Sequence, residues 1–167
     1  FSKKFAMTGW RLGCAVAPVP VADMIAKLNT NDESCTTHFV QAAGVEAIAH
    51  PEGAAPMLAE LQRRRDAAVD GLATIDGITC ATPEATFYLF PNVTAVMSRM
   101  GFADVSDFAT AALQNTGVSF CTRQHFGRPQ VDEVEQYIRL AYSGISVDDI
   151  AEGLDRLAAW TTTGGAA

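Results

Sequence analysis

Positive charge is scarce in this chain: 12 Lys and Arg stand against 19 Asp and Glu over 167 residues, for a formal net charge of −7. There is no basic run, which excludes the electrostatic footprint of a nucleic-acid or anionic-membrane surface. Long apolar runs are also missing, and none approaches the ~20 residues of a membrane-spanning helix. Histidine is limited to His38, His50 and His125, and none reads as part of a zinc-ligand set. The four cysteines, Cys14, Cys35, Cys80 and Cys121, form no C-x-x-C pair and follow no secretory leader, so reduced thiols in a cytoplasmic protein are expected.

With 49% hydrophobic and 19% charged residues, the chain has enough apolar material for one domain, or for one domain plus part of another. Its most informative stretch is the first, Phe1-Ser2-Lys3-Lys4-Phe5-Ala6-Met7-Thr8-Gly9-Trp10-Arg11-Leu12-Gly13-Cys14. A lysine lies among small and aromatic residues, Thr8-Gly9 suggests a tight turn, and Arg11 opens an apolar run. A lysine amine kept from water near another cation gives up its proton more readily and can attack a carbonyl. An arginine guanidinium binds phosphate through a planar fork. The pair would suit a phosphorylated aldehyde. On residue type alone, a solvated lysine and a strand-end arginine remain the better account.

The run Phe-Ser-Lys-Lys-Phe-Ala-Met-Thr-Gly-Trp-Arg-Leu-Gly resembles the pyridoxal-phosphate attachment signature of the class I and II aminotransferases. The resemblance implies that Lys3 carries the cofactor and that Arg11, eight positions on, binds its phosphate. Lys4 is the rival for attachment, and the family spacing to Arg11 selects Lys3. The signature starts one residue before Phe1 and the chain has no initiating Met, so a fragment is expected, with most of the large domain encoded upstream. The implied fold class is α/β: the C-terminal part of a fold type I transferase, comprising the last piece of the large domain, a long connecting helix and an α+β small domain. The expected domains are residues 1–66, residues 67–160 and a flexible tail at 161–167.

Along the chain, Leu12 to Val19 suits a buried strand, closed by Pro18 and Pro20. Met24, Ile25 and Leu28 predict a packing helix over Val21 to Asn29. Phe39, Val40, Ala43, Val45, Ala47 and Ile48 predict an amphipathic helix after capping candidates in Asn29 to Thr37. The Ser-Cys-Thr loop with Phe-Val-Gln-Ala-Ala continues the resemblance, and Cys35 and His38 read as structural. A break at His50-Pro51-Glu52-Gly53 precedes a long helix over Ala55 to Leu72, with Arg63-Arg64-Arg65 as a solvated face.

Gly77 to Cys80 and Thr86 to Phe90 predict two strands. The run Ala-Thr-Phe-Tyr-Leu-Phe-Pro-Asn-Val resembles the family's strand beside the active site, which implies that Phe87 faces substrate, although a core phenylalanine fits as well. Thr86 departs from the small residue usual there. A helix is expected over Ser106 to Gln114 and a strand over Gly117 to Cys121. Thr122-Arg123-Gln124-His125-Phe126-Gly127 departs from the family's proline-glycine turn. Arg123 or His125 is a candidate substrate contact there, weighed against an ordinary loop residue.

Tyr137 to Ser143 alternates, with Arg139 among apolar residues, and an isolated buried guanidinium calls for an anion. The run is similar to the family's closing strand, so Arg139 is carried over as the ligand of the substrate α-carboxylate. A helix over Ile150 to Trp160 and a frayed tail follow.

The resemblance implies transfer of an amino group between an L-amino acid and a 2-oxo acid of aspartate, alanine or aromatic type, by a homodimer. The carboxylate at the pyridine nitrogen, the stacked aromatic and the contact to the ring hydroxyl would lie upstream, so little activity is expected of this chain alone. Alternatives are a lyase or synthase on the same fold, or a non-catalytic remnant that serves as an association module.

Overall fold

The computed structural model describes residues 1–128 and 131–163, and it divides into two compact units, Phe1–Ala59 and Glu60 onward. It combines helices with one small antiparallel sheet.

In the first unit, the Phe5 N–H donates to the Phe1 carbonyl at 3.1 Å and closes a turn. A 3-10 turn follows at Thr8–Trp10, and Arg11 ends it in the left-handed region with φ 53°. Helix α1 spans Val19–Asp32, with Pro20 in its first turn where a missing N–H costs no helical bond. Helix α2 spans His38–Ala49 and buries Val40 and Gly44. A Cβ at Gly44 would stand 2.5 Å from Leu12 Cδ2 and 3.3 Å from Phe1 Cε1, so the glycine lets these two side chains lie against α2 without shifting. A short 3-10 turn, Pro51–Ala54, realises the expected break.

Two expectations fail in this unit. Leu12 to Val19 is not a strand, and Val16 is 99% exposed. A strand exists through its ladder, and among the described residues this unit offers no second strand to pair with. Helix α1 forms as the periodicity requires and is longer than predicted, yet it buries no residue, and Met24 and Leu28 lie exposed.

Helix α3, Ala55–Ala73, matches the predicted long helix and buries Ala68 and Leu72. Arg63 is solvated, but the other two arginines of the expected charged face are not. Arg64 is 21% exposed and donates to the Glu60 carboxylate and to the Ser143 carbonyl at 2.7 Å; Arg65 is 24% exposed and reaches Asp66 and the Pro83 carbonyl. Long stems lie along the apolar surface while the guanidinium heads reach loop carbonyls, which charge periodicity alone does not reveal.

Strand β1 is Tyr88–Leu89, β2 is Cys121–Thr122 and β3 is Ile138–Ala141, in the order β1-β3-β2. All three are shorter than predicted. Gly77 to Cys80 contributes one bridge, Thr79 to Asn92, and Asn92 bridges onward to Tyr137. Residues 117–120 precede the ladder because Gly117 is still the left-handed cap of the preceding helix, with φ 72°.

Helix α4, Thr94–Met100, has no counterpart among the predicted elements, although Val93, Val96, Met97 and Met100 have helical spacing and are all buried. Helix α5, Val105–Thr116, begins at Asp104, whose side chain accepts the Ser106 N–H at 2.6 Å. Helix α6, Val147–Thr163, lays Ile150, Leu154, Leu157 and Thr161 on the core. The expected fraying at 161–163 is thus its last helical turn, because Thr161 is buried; residues 164–167 of the expected tail lie outside the described residues.

The core of this unit gathers α3 to α6 on one face of the sheet. Phe108, Leu72, Leu89, Ile138 and Leu157 are essentially inaccessible. Phe102, Phe108 and Trp160 meet at centroid distances of 5.4–6.1 Å. Each of the fully buried ones, Phe108, Leu72, Leu89, Ile138 and Leu157, contributes about 1.5–3 kcal/mol by burial.

Candidate active site

Alternation along the three strands sorts the second unit's residues into two sets. Tyr88 pairs with Ala141 and Leu89 with Leu140, while Cys121 pairs with Arg139 and Thr122 with Ile138. Leu89, Ile138, Leu140 and Thr122 therefore share the core face. Tyr88, Ala141, Arg139 and Cys121 share the other.

On that second face Arg139 is half-buried. Its guanidinium carbon lies 4.3 Å from the centroid of the Tyr88 ring and 4.7 Å from that of Phe126. One terminal nitrogen donates weakly to Cys121 Sγ at 3.5 Å. Its Nε is buried and has no hydrogen-bond partner among the described residues. A charged donor held from water with a thiol as its acceptor is underused, and a carboxylate would take up that capacity.

Phe126 arrives from a 3-10 turn, Arg123–Phe126, that follows β2 directly. His125 Nδ1 lies 3.1 Å from the Thr122 N–H and 3.0 Å from its hydroxyl, which closes the turn. Arg123 pairs with Glu133 at 2.7 Å, both side chains being under 20% exposed, and donates to the Gly127 carbonyl. The two candidate contacts of this loop are thus engaged in building it. The aromatic ring they hold in place is what reaches Arg139.

Phe87 is partly buried and packs against the core, with its ring 4.6 Å from that of Tyr88. Thr86 before it has φ 70°, a left-handed conformation that favours glycine and is rare for a β-branched residue. This gives the small residue expected there a physical reason. The Thr86 carbonyl accepts the Tyr142 hydroxyl at 3.0 Å, and burial pushes the Tyr142 phenol above its usual range.

The other predicted residues belong to the first unit. Lys3 lies in the turn at residues 2–5 and is exposed, and the Phe1 and Phe5 rings on either side of it stand 6.0 Å apart. Lys4 places its amine 5.3 Å from the Phe5 ring. Thr8 donates its hydroxyl to the Ser2 carbonyl at 2.9 Å, which ties the lysine turn to the 3-10 turn. Arg11 gives one N–H to the Thr8 carbonyl at 3.1 Å and is otherwise exposed. Lys3 and Arg11 thus share one cross-tied loop. Cys35 and His38 are exposed, so neither serves as core.

Sequence reasoning missed Tyr88, Cys121 and Phe126. Arg139 announced that it needed company, but its company is set by strand register and by one turn. Among the described residues no group of three or more His, Cys, Asp or Glu is placed to hold a metal ion, and no helix is long and apolar enough to cross a membrane.

The family model for aminotransferase class I and II matches residues 1–157. An asparagine–oxo-acid transaminase of Streptococcus mutans is 33% identical over 160 residues, covering 95% of this chain and 39% of the relative. The crystal structure of the aspartate aminotransferase from Rhizobium meliloti superposes with a TM-score of 0.80 at 30% identity, over 96% of this chain and 40% of that one. The aromatic aminotransferase from Pyrococcus horikoshii gives 0.83 at 27% identity, over 97% and 41%. The chain spans about two fifths of the length of the relatives it matches. With the match running through nearly all of it, the chain belongs to the class I and II aminotransferases, a pyridoxal-phosphate-dependent family.

Proposed function

We propose that the protein is a pyridoxal-phosphate-dependent aminotransferase that moves an amino group between an L-amino acid and a 2-oxo acid and works as a homodimer. The observation that carries this reading is Arg139: a buried Nε without a partner, on the sheet face away from the core, suits a carboxylate. The loop of Lys3 and Arg11 suits the cofactor, since Arg11 spends one N–H within the loop and offers its remaining donors to a phosphate.

Bound pyridoxal phosphate supplies the electron sink. Lys3 would hold the cofactor through its amine and, when that amine is free, would take the proton from the substrate Cα and give it back as a general acid. Arg11 would anchor the phosphate. Arg139 would fix the amino acid by its carboxylate, on the sheet face opposite the core that Phe87 packs against. Residues 1–167 by themselves have little activity in this reading, since they span about two fifths of the relatives' length.

The test is the absorbance of the full-length protein with added pyridoxal phosphate, before and after borohydride, with mass mapping of the fixed lysine and an assay on amino and 2-oxo acid pairs. A label on Lys3, lost in Lys3→Ala, together with amino transfer, is the expected result. A full-length protein that takes no label and transfers no amino group overturns the reading.

A further inference from the structure

The two rings beside Arg139 have no part in the reading above. Tyr88 comes from β1 and Phe126 from the turn after β2, on either side of central β3, and both lie within 5 Å of the same guanidinium carbon. Neither ring hydrogen-bonds the arginine. They constrain the guanidinium through their π faces and leave its in-plane donors for an anion. Phe126 is itself supported: Phe90 meets it edge-on at 6.3 Å, and Phe90 stacks on Tyr137 at 5.1 Å and 2°. Tyr137 in turn donates its hydroxyl to Glu135 at 2.6 Å. The result is an aromatic buttress running from the Arg139 head to the chain just before β3.

We infer that Tyr88 and Phe126 are positioning residues for substrate binding. They hold Arg139 in one orientation through the faces of its guanidinium and leave the in-plane N–H groups open, so that a carboxylate meets a preformed donor. The inference rests on the proposed role of Arg139 and extends it to two residues that need not touch the substrate. Cys121, whose thiol is the only acceptor Arg139 has among the described residues, is a weak placeholder that an incoming carboxylate outcompetes. The clamp acts on the carboxylate common to all amino acids. Its loss therefore weakens every substrate by a similar factor.

The experiment uses the full-length protein and its variants Tyr88→Leu, Tyr88→Phe, Phe126→Leu and Arg139→Lys. It reads kcat and KM for two amino donors with different side chains, and also the calorimetric Kd of a simple dicarboxylate in the absence of turnover. Loss of either ring should raise KM and Kd by about five- to tenfold, alike for both donors, with kcat changed by less than about twofold. Tyr88→Phe keeps the ring face and should restore wild-type values. Phe126→Leu, at a side chain 43% exposed, supplies the answer if Tyr88→Leu does not fold. If Arg139→Lys weakens binding while both leucine variants bind normally, the clamp is overturned and the role of Arg139 stands. If Arg139→Lys itself leaves Kd and KM unchanged, both are overturned.

Discussion

Arg64 donates a hydrogen bond to the Ser143 carbonyl at 2.7 Å, which joins the middle of α3 to the turn after β3 across 79 positions of sequence. The same guanidinium donates to Glu60 at 2.9 Å, one helical turn back, and holds that carboxyl below its usual range. One side chain thus ties α3 to the end of the second unit's central strand.

Replacing Arg64 with Met keeps the apolar stem and removes both bonds. The Ser143 carbonyl then loses a charged donor, and we expect a loss of about 1–2 kcal/mol in unfolding free energy. Urea titration of Arg64→Met beside Arg63→Met checks this, since Arg63 is solvated and its loss should be close to neutral.

Thr86 should behave in the opposite sense. Its φ of 70° strains a β-branched residue, and Thr86→Gly relieves that strain while keeping the carbonyl that accepts from Tyr142. Against the extra freedom glycine brings to the unfolded chain, a net gain of about 1 kcal/mol is expected. A melting temperature at or below that of the parent chain counts against it.

Gly77 has no such latitude. Its φ is +82°, and a Cβ there would stand 2.8 Å from the Val96 backbone nitrogen, whose N–H the Gly77 carbonyl accepts at 3.2 Å. Gly77→Ala must move backbone at the start of α4, and a loss of roughly 2 kcal/mol or more is expected. A thermal melt of the variant reads it directly.

Asp104 makes part of the stability depend on acid. The Ser106 N–H at 2.6 Å holds its carboxyl below the usual range. Because the folded pKa is the lower one, the contribution is complete above the ordinary carboxylate range and fades as pH falls toward the folded value. Asp104→Asn keeps a cap and should flatten the stability profile between about pH 5 and pH 2. Asp104→Ala should cost about 1 kcal/mol at pH 7. Equal slopes in the parent chain and in the Asp104→Asn variant would refute the assignment.

The helices were legible because their signals are local. Ala55 to Leu72 and Ser106 to Gln114 carry apolar spacing of the helical period, and α5 has acidic residues at its start. Helix α4 escaped because its seven residues follow the Pro91-Asn92 break so closely. The strands of the second unit were overextended and the one over Leu12 to Val19 does not form, since β propensity marks a stretch able to pair while the partner sets how much of it does.

The run from Phe1 to Gly13 carries the resemblance to the family whose model matches residues 1–157, and residue order alone marks Arg139 as a guanidinium out of place among apolar neighbours. Which residues keep Arg139 company is settled by the folded chain. Tyr88, Cys121 and Phe126 reach it through cross-strand register and one capped turn, and these are contacts between segments with no local sequence signal. The same holds for Arg64 and Arg65, which read as a charged face and instead anchor loops. A helical period shows which residues share a side, whereas what lies opposite depends on where the rest of the chain returns.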